Sequence, residues 1–387
     1  MNQITLSPMQ QAAVDQIAVW IKERSSPDFR LGGYAGSGKT SLVKHIIALL
    51  GSENVIVLAP TGKACSVLRR KGVTEARTIH NFLYKKASRP SCLPCEGAGK
   101  FGEQKCSACG GTGRSKQLWW EARESVDTAK LVIVDEASMV GAQEYHRLMD
   151  TGMPILWVGD PAQLEPVRDD PKIMHSPTVT LTEIHRTDRP TILDLSTSVR
   201  AGNVPSGPHV LALPIPDPVL LNADVIIAGT NRTRQRINTR MRALLGRTGL
   251  VCKGDKLICL RNNKKFSVVN GDIGIVLEHS EPYDSDGYGV VVLLTLAFDH
   301  METIQCEAVV QAFGALKTPE FKGRLPDTIT IWDYGYCLTA HKAQGSEWPK
   351  VAVIEECWKG IDAVRWRYTT ITRASQKLGY YRSGGSR

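Results

Sequence analysis

The chain has 387 residues, of which 42% are hydrophobic and 22% are charged. This length suits two or three domains, and a composition so close to the globular average argues against wholesale disorder. The 48 Lys and Arg residues outnumber the 39 Asp and Glu residues, and the net charge of +9 favours an anionic partner, either nucleic acid or a membrane surface. Because no stretch of eighteen uninterrupted apolar residues occurs, we expect no membrane-spanning helix.

The first eight residues lack the basic start and the apolar core of a signal peptide. We therefore expect a cytoplasmic protein of a bacterium or of a phage-infected cell, with no membrane partner. Ten cysteines occur, and four of them fall between residues 92 and 109. In a reducing compartment such clustering favours a metal site over disulfides.

The first half of the chain alternates helical and strand patterns. Residues 7–24 have helical periodicity. Continuous apolar runs, typical of buried strands, occupy residues 55–59, 131–134 and 155–158. Uninterrupted apolar strands between helices predict a parallel sheet covered on both faces, and hence an α/β layer fold over residues 1–195.

The second half repeats the pattern around a different segment. Five prolines within residues 203–218 predict a connector. A second strand–turn–helix series starts at Val225, and residues 351–354 read as another buried strand. Residues 268–312 instead carry alternating strands separated by turns, which predicts a β-rich insert.

A phosphate-binding loop is predicted between a short strand and an apolar helix. The segment from residue 33 to residue 40 fits G-x-x-x-x-G-K-[ST], whose glycines let backbone N–H groups wrap phosphates at a helix N-terminus. Lys39 is expected to reach the outer phosphates and Thr40 to ligate Mg²⁺. A glycine-rich turn with an incidental lysine is the alternative. The predicted ATP-binding residues of this loop are Gly33, Gly36, Ser37, Gly38, Lys39 and Thr40.

Two carboxylates follow the apolar run at residues 131–134. Asp135 is expected to hold Mg²⁺ through water, and the adjacent Glu136 to deprotonate an attacking water. A pair of acids at the end of a strand could instead cap the next helix. Together with the phosphate-binding loop, the pair favours ATP hydrolysis over phosphate transfer to another substrate.

A carboxamide in the segment Gly159 to Leu164 is a further candidate. Gln163 follows the third apolar run, where its amide could sense a terminal phosphate and couple hydrolysis to movement. By itself this signal is weak, because Gly-Asp-Pro is ordinary turn chemistry.

Taken in order, these motifs resemble superfamily-1 helicases of the 5′-to-3′ branch, the group that contains phage Dda, RecD-like and Pif-type enzymes. The nine matching motifs are Leu6–Gln10, Gly33–Thr40, Ala59–Ala64, Thr78–His80, Asp135–Ser138, Gly159–Leu164, Glu183–Arg186, Leu338–Glu347 and Tyr368–Ala374. Nine ordered motifs are far more specific than any one of them. The resemblance implies two RecA-like lobes that close around ATP.

The same resemblance implies roles for residues beyond the phosphate-binding loop. Gln10 would read the adenine, Gln163 would contact the γ-phosphate, and Glu347 would lie near the nucleotide. Arg186 and Arg373 would act as arginine fingers on the charge that develops in the transition state. An arginine at either position could equally form a surface ion pair.

Six further residues match positions that lie along the bound single strand in the family. Hydroxyls and cations suit phosphate contacts, and aromatic rings suit stacking on bases. The predicted nucleic-acid contacts are Thr61, Lys63, Thr78, His80, Thr339 and His341. In the helix near Asn231, Arg232, Arg236 and Arg240 recur every four residues, which predicts either a phosphate-contacting face or a merely solvated one.

The resemblance also suggests domain boundaries. Lobe 1 would cover residues 1–200 with a pin-like insert at 85–117, followed by a connector at 201–222. Lobe 2 would cover residues 223–387 with a small β-barrel insert at 262–330. Two features depart from the family pattern: Glu165 replaces the usual proline after Gln-Leu, and the pin-like insert carries cysteines.

This insert contains two copies of C-x-x-C-x-G-x-G, similar to the zinc-binding repeats of DnaJ. Its cysteines are Cys92, Cys95, Cys106 and Cys109. Four thiolates complete a tetrahedral Zn²⁺ site of the structural kind, whereas four free cysteines or two disulfides are the alternatives. A segment so short and glycine-rich cannot build a core, so the metal would hold a pin that meets the duplex at the fork. Leu93 and Phe101 are candidates for the side chain that wedges the bases.

The sequence therefore predicts an ATP- and Mg²⁺-dependent DNA helicase that moves 5′ to 3′ on single-stranded DNA. The expected partners are single-stranded DNA and the DNA fork, with proteins of DNA replication, recombination or repair as further candidates. An RNA helicase or ribonucleoprotein remodeller is one alternative, because only 2′-hydroxyl contacts distinguish it. The other is a nucleic-acid-stimulated ATPase switch whose zinc module recruits a protein partner.

Overall fold

The computed structural model describes residues 6–86, 91–114, 120–166, 171–185, 189–208, 210–285, 289–321, 325–356 and 361–382. The helices of these ranges are α1 (Pro8–Glu23), α2 (Lys39–Leu50), α3 (Gly62–Arg70), α4 (Ile79–Leu83), α5 (Ala142–Met149), α6 (Pro190–Arg200), α7 (Asp217–Asn222), α8 (Asn231–Leu244), α9 (Ala340–Ala343) and α10 (Ile361–Ile371). None of these described helices is long and apolar enough to span a bilayer.

The strands of the same ranges are β1 (Asp28–Gly33), β2 (Val55–Ala59), β3 (Arg77–Thr78), β4 (Tyr84–Lys86), β5 (Lys100–Phe101), β6 (Gln104–Lys105), β7 (Trp120–Ala122), β8 (Leu131–Val134), β9 (Ile155–Gly159), β10 (Val179–Leu181), β11 (Val210–Ala212), β12 (Val225–Ala228), β13 (Lys256–Cys259), β14 (Ile273–His279), β15 (Tyr283–Ser285), β16 (Gly289–Ala297), β17 (Ile304–Val309), β18 (Ile329–Thr330), β19 (Trp332–Tyr334), β20 (Cys337–Thr339), β21 (Trp348–Glu355) and β22 (Ala374–Arg382).

The first lobe is built on a six-stranded parallel sheet in the order β10-β1-β9-β8-β2-β3. Two of the predicted apolar runs are β8 and β9, in which every residue is buried. Leu131 and Ile133 of β8 pack with α1 and α2, whereas Val132 and Val134 pack with α4 and α5 on the opposite face. Helices therefore cover both faces, as uninterrupted apolar strands require.

The second lobe has a five-stranded parallel sheet in the order β11-β22-β21-β12-β20. Val225 and Ile227 of β12 pack with α6 and α10, and Ile226 and Ala228 pack with α7 and α8. Two parallel sheets, each covered on both faces, confirm the predicted α/β class with two RecA-like lobes. Although α6 lies in the range predicted for lobe 1, and β11 and α7 in the predicted connector, all three pack with this second sheet.

Between α8 and β20 the chain forms a separate seven-stranded sheet, which we call the β-rich insert. Its strand order is β18-β17-β16-β14-β13-β19, with β15 paired to β16. All pairs are antiparallel except β17 with β18. The sheet extends slightly beyond the predicted range of 262–330, because β13 pairs with β19 through Leu257 and Tyr334. Its barrel form stays a prediction.

The cysteine insert leaves the first lobe on a two-stranded stem. In this stem β4 pairs antiparallel with β7, so that Lys86 lies opposite Trp120. Further out, Ser91 forms an antiparallel bridge with Arg114, and β5 and β6 form a short hairpin. The insert is thus a projection from the first lobe, between α4 and β8 in the chain.

Candidate active site and nucleic-acid groove

The predicted phosphate-binding loop connects the end of β1 to the start of α2. Gly36 and Gly38 have left-handed φ angles of 85° and 81°, a backbone form used in phosphate-binding nests. Lys39 Nζ donates to the carbonyl oxygen of Gly33 at 2.6 Å, which holds the ammonium group against the loop. Thr40 is the second residue of α2, in a first turn whose N–H groups have no partner within the helix. The loop therefore has the features of an anion site.

Gln10 ties α1 to this loop. Its Nε2 donates to the carbonyl oxygen of Ser37 at 3.0 Å, and its Oε1 accepts from the backbone N–H of Ser7 at 3.0 Å. The second bond belongs to a capping box that begins α1, so the helix end orients the amide. Ser37 is fully buried, and its Oγ has no hydrogen-bond partner among the described residues. A buried hydroxyl without a partner fits a site that a polar ligand completes.

The two predicted carboxylates stand at the carboxyl end of β8. Asp135 Oδ1 accepts from the backbone N–H of Glu136 at 2.9 Å, and Glu136 itself has a left-handed φ of 53°. Burial raises the pKa of the Asp135 carboxyl group. Burial also raises the pKa of Glu136, with a further increase from Asp135, while Arg373 and Lys39 lower it. The pair combines oxygen ligands suited to Mg²⁺ with a carboxylate of increased proton affinity.

A buried aspartate holds the loop after β9. The carboxylate of Asp160 accepts hydrogen bonds from Gln163 Nε2 at 3.1 Å and from Tyr368 Oη at 3.0 Å. Gln163 is buried, and its Oε1 has no hydrogen-bond partner in the part of the chain that the structure describes. Asp160 therefore orients the Gln163 amide and leaves its acceptor oxygen available to a water or a ligand.

Helix α10 of the second lobe closes the site from the other side. Tyr368 Oη accepts from the backbone N–H of Ala35 in the phosphate-binding loop at 3.0 Å. Thr369 Oγ1 accepts from the backbone N–H of Leu164, beside Gln163, also at 3.0 Å. Sequence analysis placed Tyr368 in a family motif but assigned it no role. Its position in that motif is the feature of the sequence that could have indicated a role for Tyr368.

Arg373, one of the two predicted arginine fingers, follows α10. It is 5% exposed, and its guanidinium donates to the carbonyl oxygen of Ser346 at 3.1 Å. Burial lowers the pKa of Arg373, whereas the nearby charge of Glu136 raises it. The structure thus brings Arg373 to the carboxylate pair, next to the backbone that leads into Glu347. Arg186, the other predicted finger, lies outside the described residues.

Glu165, the departure from the family pattern, joins the two lobes. Its carboxylate lies 2.6 Å from His175 Nε2 and forms an ion pair with Arg365 of α10. Arg365 lies three residues before Tyr368, so both residues lie on neighbouring positions of one helix face. A proline in place of Glu165 could not form this ion pair. Sequence reasoning missed the contact because its partner lies far away in the chain.

A cavity of about 1020 Å³ runs between the lobes beside the candidate ATP site. Residues of α3, α4 and β7 line it from the first lobe, and residues of the β-rich insert and α9 line it from the second. We call this cavity the groove. The predicted nucleic-acid contacts in its lining are Thr61, Lys63, Thr78, His80 and His341. Thr339 precedes α9 and is not among the described lining residues.

Several of these residues already have partners within the protein. Lys63 Nζ lies 3.1 Å from a carboxylate oxygen of Asp272, which is 1% exposed and belongs to the β-rich insert. His300 Nε2 lies 3.7 Å from the same carboxylate. This ion pair links the first lobe to the β-rich insert beside the groove. The hydroxyl oxygens of Thr61 and Thr78 cap α3 and α4, and each hydroxyl proton can still be donated to a phosphate oxygen.

The predicted basic face of α8 lies apart from the groove. Arg240 forms an ion pair with Asp217, and Arg232 and Arg236 border a separate depression. None of these three arginines lines the groove as far as the structure describes it. This face of α8 contacts solvent and a carboxylate of the same chain, in agreement with the interpretation that it is a solvated face.

The four cysteines of the insert converge from two separate pairs. Their sulfur atoms all lie within 4.8 Å of one another, with 3.9 Å between Cys92 and Cys106 and 3.7 Å between Cys95 and Cys109. Sulfurs about 2.3 Å from a tetrahedral ion lie about 3.8 Å apart, whereas a disulfide requires about 2.05 Å. Burial opposes ionisation of both Cys92 and Cys109; together with the neighbouring thiols it raises the pKa of Cys92 to about 12, whereas backbone N–H groups and thiols lower the pKa of Cys109 to about 6. The donor set therefore fits Zn²⁺.

The fold and the site define a protein with two RecA-like lobes and a phosphate-binding loop. A family model described as an AAA domain matches residues 5–212, and one described as a UvrD-like helicase C-terminal domain matches residues 334–380. The chain belongs to the AAA domain family, and it is similar in sequence to helicases of the Dda and RecD type.

Two curated relatives and one solved structure illustrate the similarity to helicases. The ATP-dependent DNA helicase Dda of Enterobacteria phage T4 is 30% identical over 214 residues, which are 51% of this chain and 43% of that protein. The ATP-dependent RecD2 DNA helicase of Deinococcus radiodurans is 24% identical over 386 residues, which are 90% of this chain and 46% of that protein. The chain thus spans less than half of the length of these relatives.

The solved structure is Bacteroides Pif1 bound to single-stranded DNA. It matches with a TM-score of 0.58 at 17% identity, over 97% of this chain and 92% of that chain. At this identity the match shows a shared fold.

Proposed function

We propose that the protein is an ATP- and Mg²⁺-dependent DNA helicase that moves 5′ to 3′ along single-stranded DNA. The observation that carries the proposal is the position of the candidate ATP site between two lobes that also form the walls of the groove. Two relatives are named ATP-dependent DNA helicases, and a structural neighbour was crystallised with single-stranded DNA. The polarity rests on the resemblance to the 5′-to-3′ branch.

ATP and Mg²⁺ fit the chemistry of the residues at this site. The phosphate-binding loop and Lys39 would hold the phosphates, and Gln10 would lie at the adenine. Thr40 and Asp135 offer the oxygen ligands that Mg²⁺ prefers. When bound, the ion supplies positive charge that offsets the charge of the phosphates.

Hydrolysis would use three residues that meet between the lobes. The Glu136 carboxylate accepts a proton from the attacking water, and Gln163 Oε1 orients that water. Arg373 adds positive charge from the second lobe. This charge would stabilise a transition state in which negative charge builds up on the phosphate oxygens. The reaction thus requires the two lobes to be closed.

Movement along DNA would follow from two features of the fold. Helix α10 of the second lobe contacts the nucleotide site, and the shape of the groove depends on the distance between the lobes. Tyr368 binds Ala35 and Asp160 of the first lobe, so closure depends on the state of this site. Lys63 lies in the lining of the groove and pairs with Asp272 of the β-rich insert, so this contact also depends on the distance between the lobes. Alternating closure and opening would therefore move one wall along a bound strand relative to the other.

The cysteine insert is proposed to bind one Zn²⁺ and to separate the strands at the fork. The sulfur spacing supports the metal, and Trp120 of the stem lies in the lining of the groove. Leu93 is 90% exposed and Phe101 57% exposed, so the insert presents apolar side chains to solvent. Apolar side chains of this kind can wedge between base steps. The same exposed groups would also suit a protein partner, which is the alternative role.

Strand separation on tailed duplexes tests the proposal. We expect ATP-dependent opening of a duplex with a 5′ single-stranded tail, and no opening of a 3′-tailed or blunt duplex. Lys39→Ala is the matched inactive control, because it removes the ammonium group of the phosphate-binding loop. Preference for the 3′ tail would contradict the polarity. Closed duplexes with DNA-stimulated ATP hydrolysis would instead favour the ATPase switch, and preferential opening of RNA duplexes would favour the RNA helicase.

A further inference from the structure

We propose that Trp120, supported by the edge-to-face contact with His80, forms a stacking platform for one unpaired base in the groove, at the stem of the cysteine insert. The inference rests on the proposed function, since it names a subsite for the nucleic-acid strand. Neither composition nor the motifs pointed to Trp120.

The platform consists of two aromatic rings that face the groove. The rings of Trp120 and His80 meet edge to face, with centroids 4.6 Å apart and an interplanar angle of 85°. Both residues are exposed and line the groove together with Thr78 and Lys63. Trp120 is 42% exposed and is the one tryptophan among the exposed large apolar side chains of the described residues. An exposed tryptophan in a basic, polar groove offers an uncovered π-face to a base.

A rigid support holds this platform in place. His80 stacks on Tyr84 with ring centroids 4.7 Å apart, and the Arg147 guanidinium lies 4.7 Å from the centroid of the Tyr84 ring. Tyr84 begins β4, whose pairing with β7 fixes the backbone of Trp120. Because the rings are already oriented, a base would bind without ordering them first.

The position of the platform determines which nucleotide it would meet. Trp120 is the first residue of β7 in the stem, and the lining of the groove also contains threonine and lysine side chains suited to phosphates. A base on the platform would therefore lie within the groove, beside the stem of the cysteine insert. Stacking on an aromatic ring tolerates every base, so the subsite should be independent of sequence.

A combined protein and DNA substitution tests the platform. Equilibrium binding of a fluorescent single-stranded oligonucleotide is measured for the wild type, Trp120→Ala and Trp120→Phe, with intact DNA and with an abasic site moved one nucleotide at a time. We expect Trp120→Ala to weaken binding of intact DNA about tenfold, the loss typical of one stacked base. Trp120→Phe should stay within about threefold of the wild type, because a ring remains.

The abasic scan distinguishes stacking from a general loss of structure. In the wild type, one abasic position should weaken binding about tenfold, and in Trp120→Ala the same position should cause no further loss. Tyr283→Ala is the matched control, since Tyr283 is 40% exposed in the β-rich insert and outside the described groove lining. It should bind like the wild type.

Two results would overturn the platform while leaving the proposed function intact. One is binding by Trp120→Ala within twofold of the wild type. The other is an abasic penalty that is the same in Trp120→Ala and the wild type. A wild-type protein that binds no single-stranded DNA would overturn the proposed function together with the platform.

Discussion

At the candidate active site, hydrogen bonds to some polar atoms of a side chain fix its orientation, while another polar atom of the same side chain stays available to a water or a ligand. Asp160 binds Gln163 Nε2 and leaves Oε1 without a partner among the described residues. Glu136 combines a left-handed backbone with a carboxyl group whose pKa is raised by burial and by Asp135. A carboxylate of increased proton affinity is better suited to accept a proton from water than one of ordinary pKa. Orientation and pKa thus prepare single residues for hydrolysis.

Replacement of Glu136 by glutamine tests its role as the general base. We expect Glu136→Gln to bind ATP normally but to hydrolyse it at least about 100-fold more slowly, because an amide cannot accept the proton. Calorimetric ATP binding and steady-state phosphate release would measure the two effects. Lys39→Ala should lose both binding and hydrolysis. Full activity of Glu136→Gln would remove Glu136 from the mechanism.

The pH dependence of hydrolysis gives an independent prediction about the same group. Only the ionised carboxylate can accept the proton, and the pKa of Glu136 is raised. As the pH falls through this raised value, hydrolysis should therefore be lost at a higher pH than the usual glutamate pKa of about 4.3 implies. A pH profile of kcat for the wild type would measure this acid limb. An acid limb at or below the ordinary value would contradict the predicted shift.

At the scale of elements, the cysteine insert is stabilised differently from the lobes. Its buried cluster contains the four cysteines alone among the described residues, whereas each lobe has a large apolar core. Its turns require glycine: at Gly113, where φ is 68°, an added Cβ would lie 2.1 Å from the carbonyl oxygen of Gly97. An element with so little apolar burial depends on its metal for stability.

Loss of one cysteine ligand should therefore impair duplex opening and leave ATP hydrolysis largely unchanged. Cys106→Ser is expected to reduce bound zinc below one equivalent and to slow duplex opening at least about tenfold, while DNA-stimulated ATP hydrolysis stays within about twofold. Metal analysis, strand separation and phosphate release measure these effects. Cys252→Ser, at a half-buried cysteine outside the cluster, is the matched control and should keep one zinc. Intact unwinding by fully zinc-depleted protein would contradict the pin hypothesis.

At the scale of the whole molecule, long-range polar contacts hold the lobes in one arrangement. Tyr368 binds the phosphate-binding loop, Glu165 pairs with Arg365, and Lys63 of the groove pairs with Asp272 of the β-rich insert. The last contact places a predicted phosphate ligand on a protein carboxylate. Because a phosphate would have to displace Asp272 from Lys63, the ion pair competes with the strand.

Removal of this carboxylate charge should favour DNA binding. Asp272→Asn is expected to bind single-stranded DNA about three- to tenfold more tightly without nucleotide, because Lys63 loses its competing anion while asparagine keeps an acceptor oxygen. Fluorescence anisotropy at fixed salt measures the affinity, and a thermal melt checks the fold. Lys63→Ala should weaken binding. Equal or weaker binding by a folded Asp272→Asn would show that the ion pair does not compete with the strand.

The sequence by itself determined the features that depend on neighbours in the chain. Turn glycines, apolar strand runs and cysteine spacing are local patterns, and the α/β class and four-cysteine cluster follow from them. The same is true of the geometry of the phosphate-binding loop, where Lys39 follows the left-handed Gly38. Local backbone preferences and burial are sufficient to specify such elements.

Only the tertiary structure decided which distant residues meet. The pairs Lys63 with Asp272, Glu165 with Arg365, and Trp120 with His80 depend on how the lobes dock and how the stem folds back. Packing likewise placed α6 in the second lobe and α8 apart from the groove. The local sequence patterns do not predict these contacts, because each residue fits the pattern of its own helix, strand or loop whether or not its partner is present. Their geometry arises when two separately folded cores bury a shared polar interface.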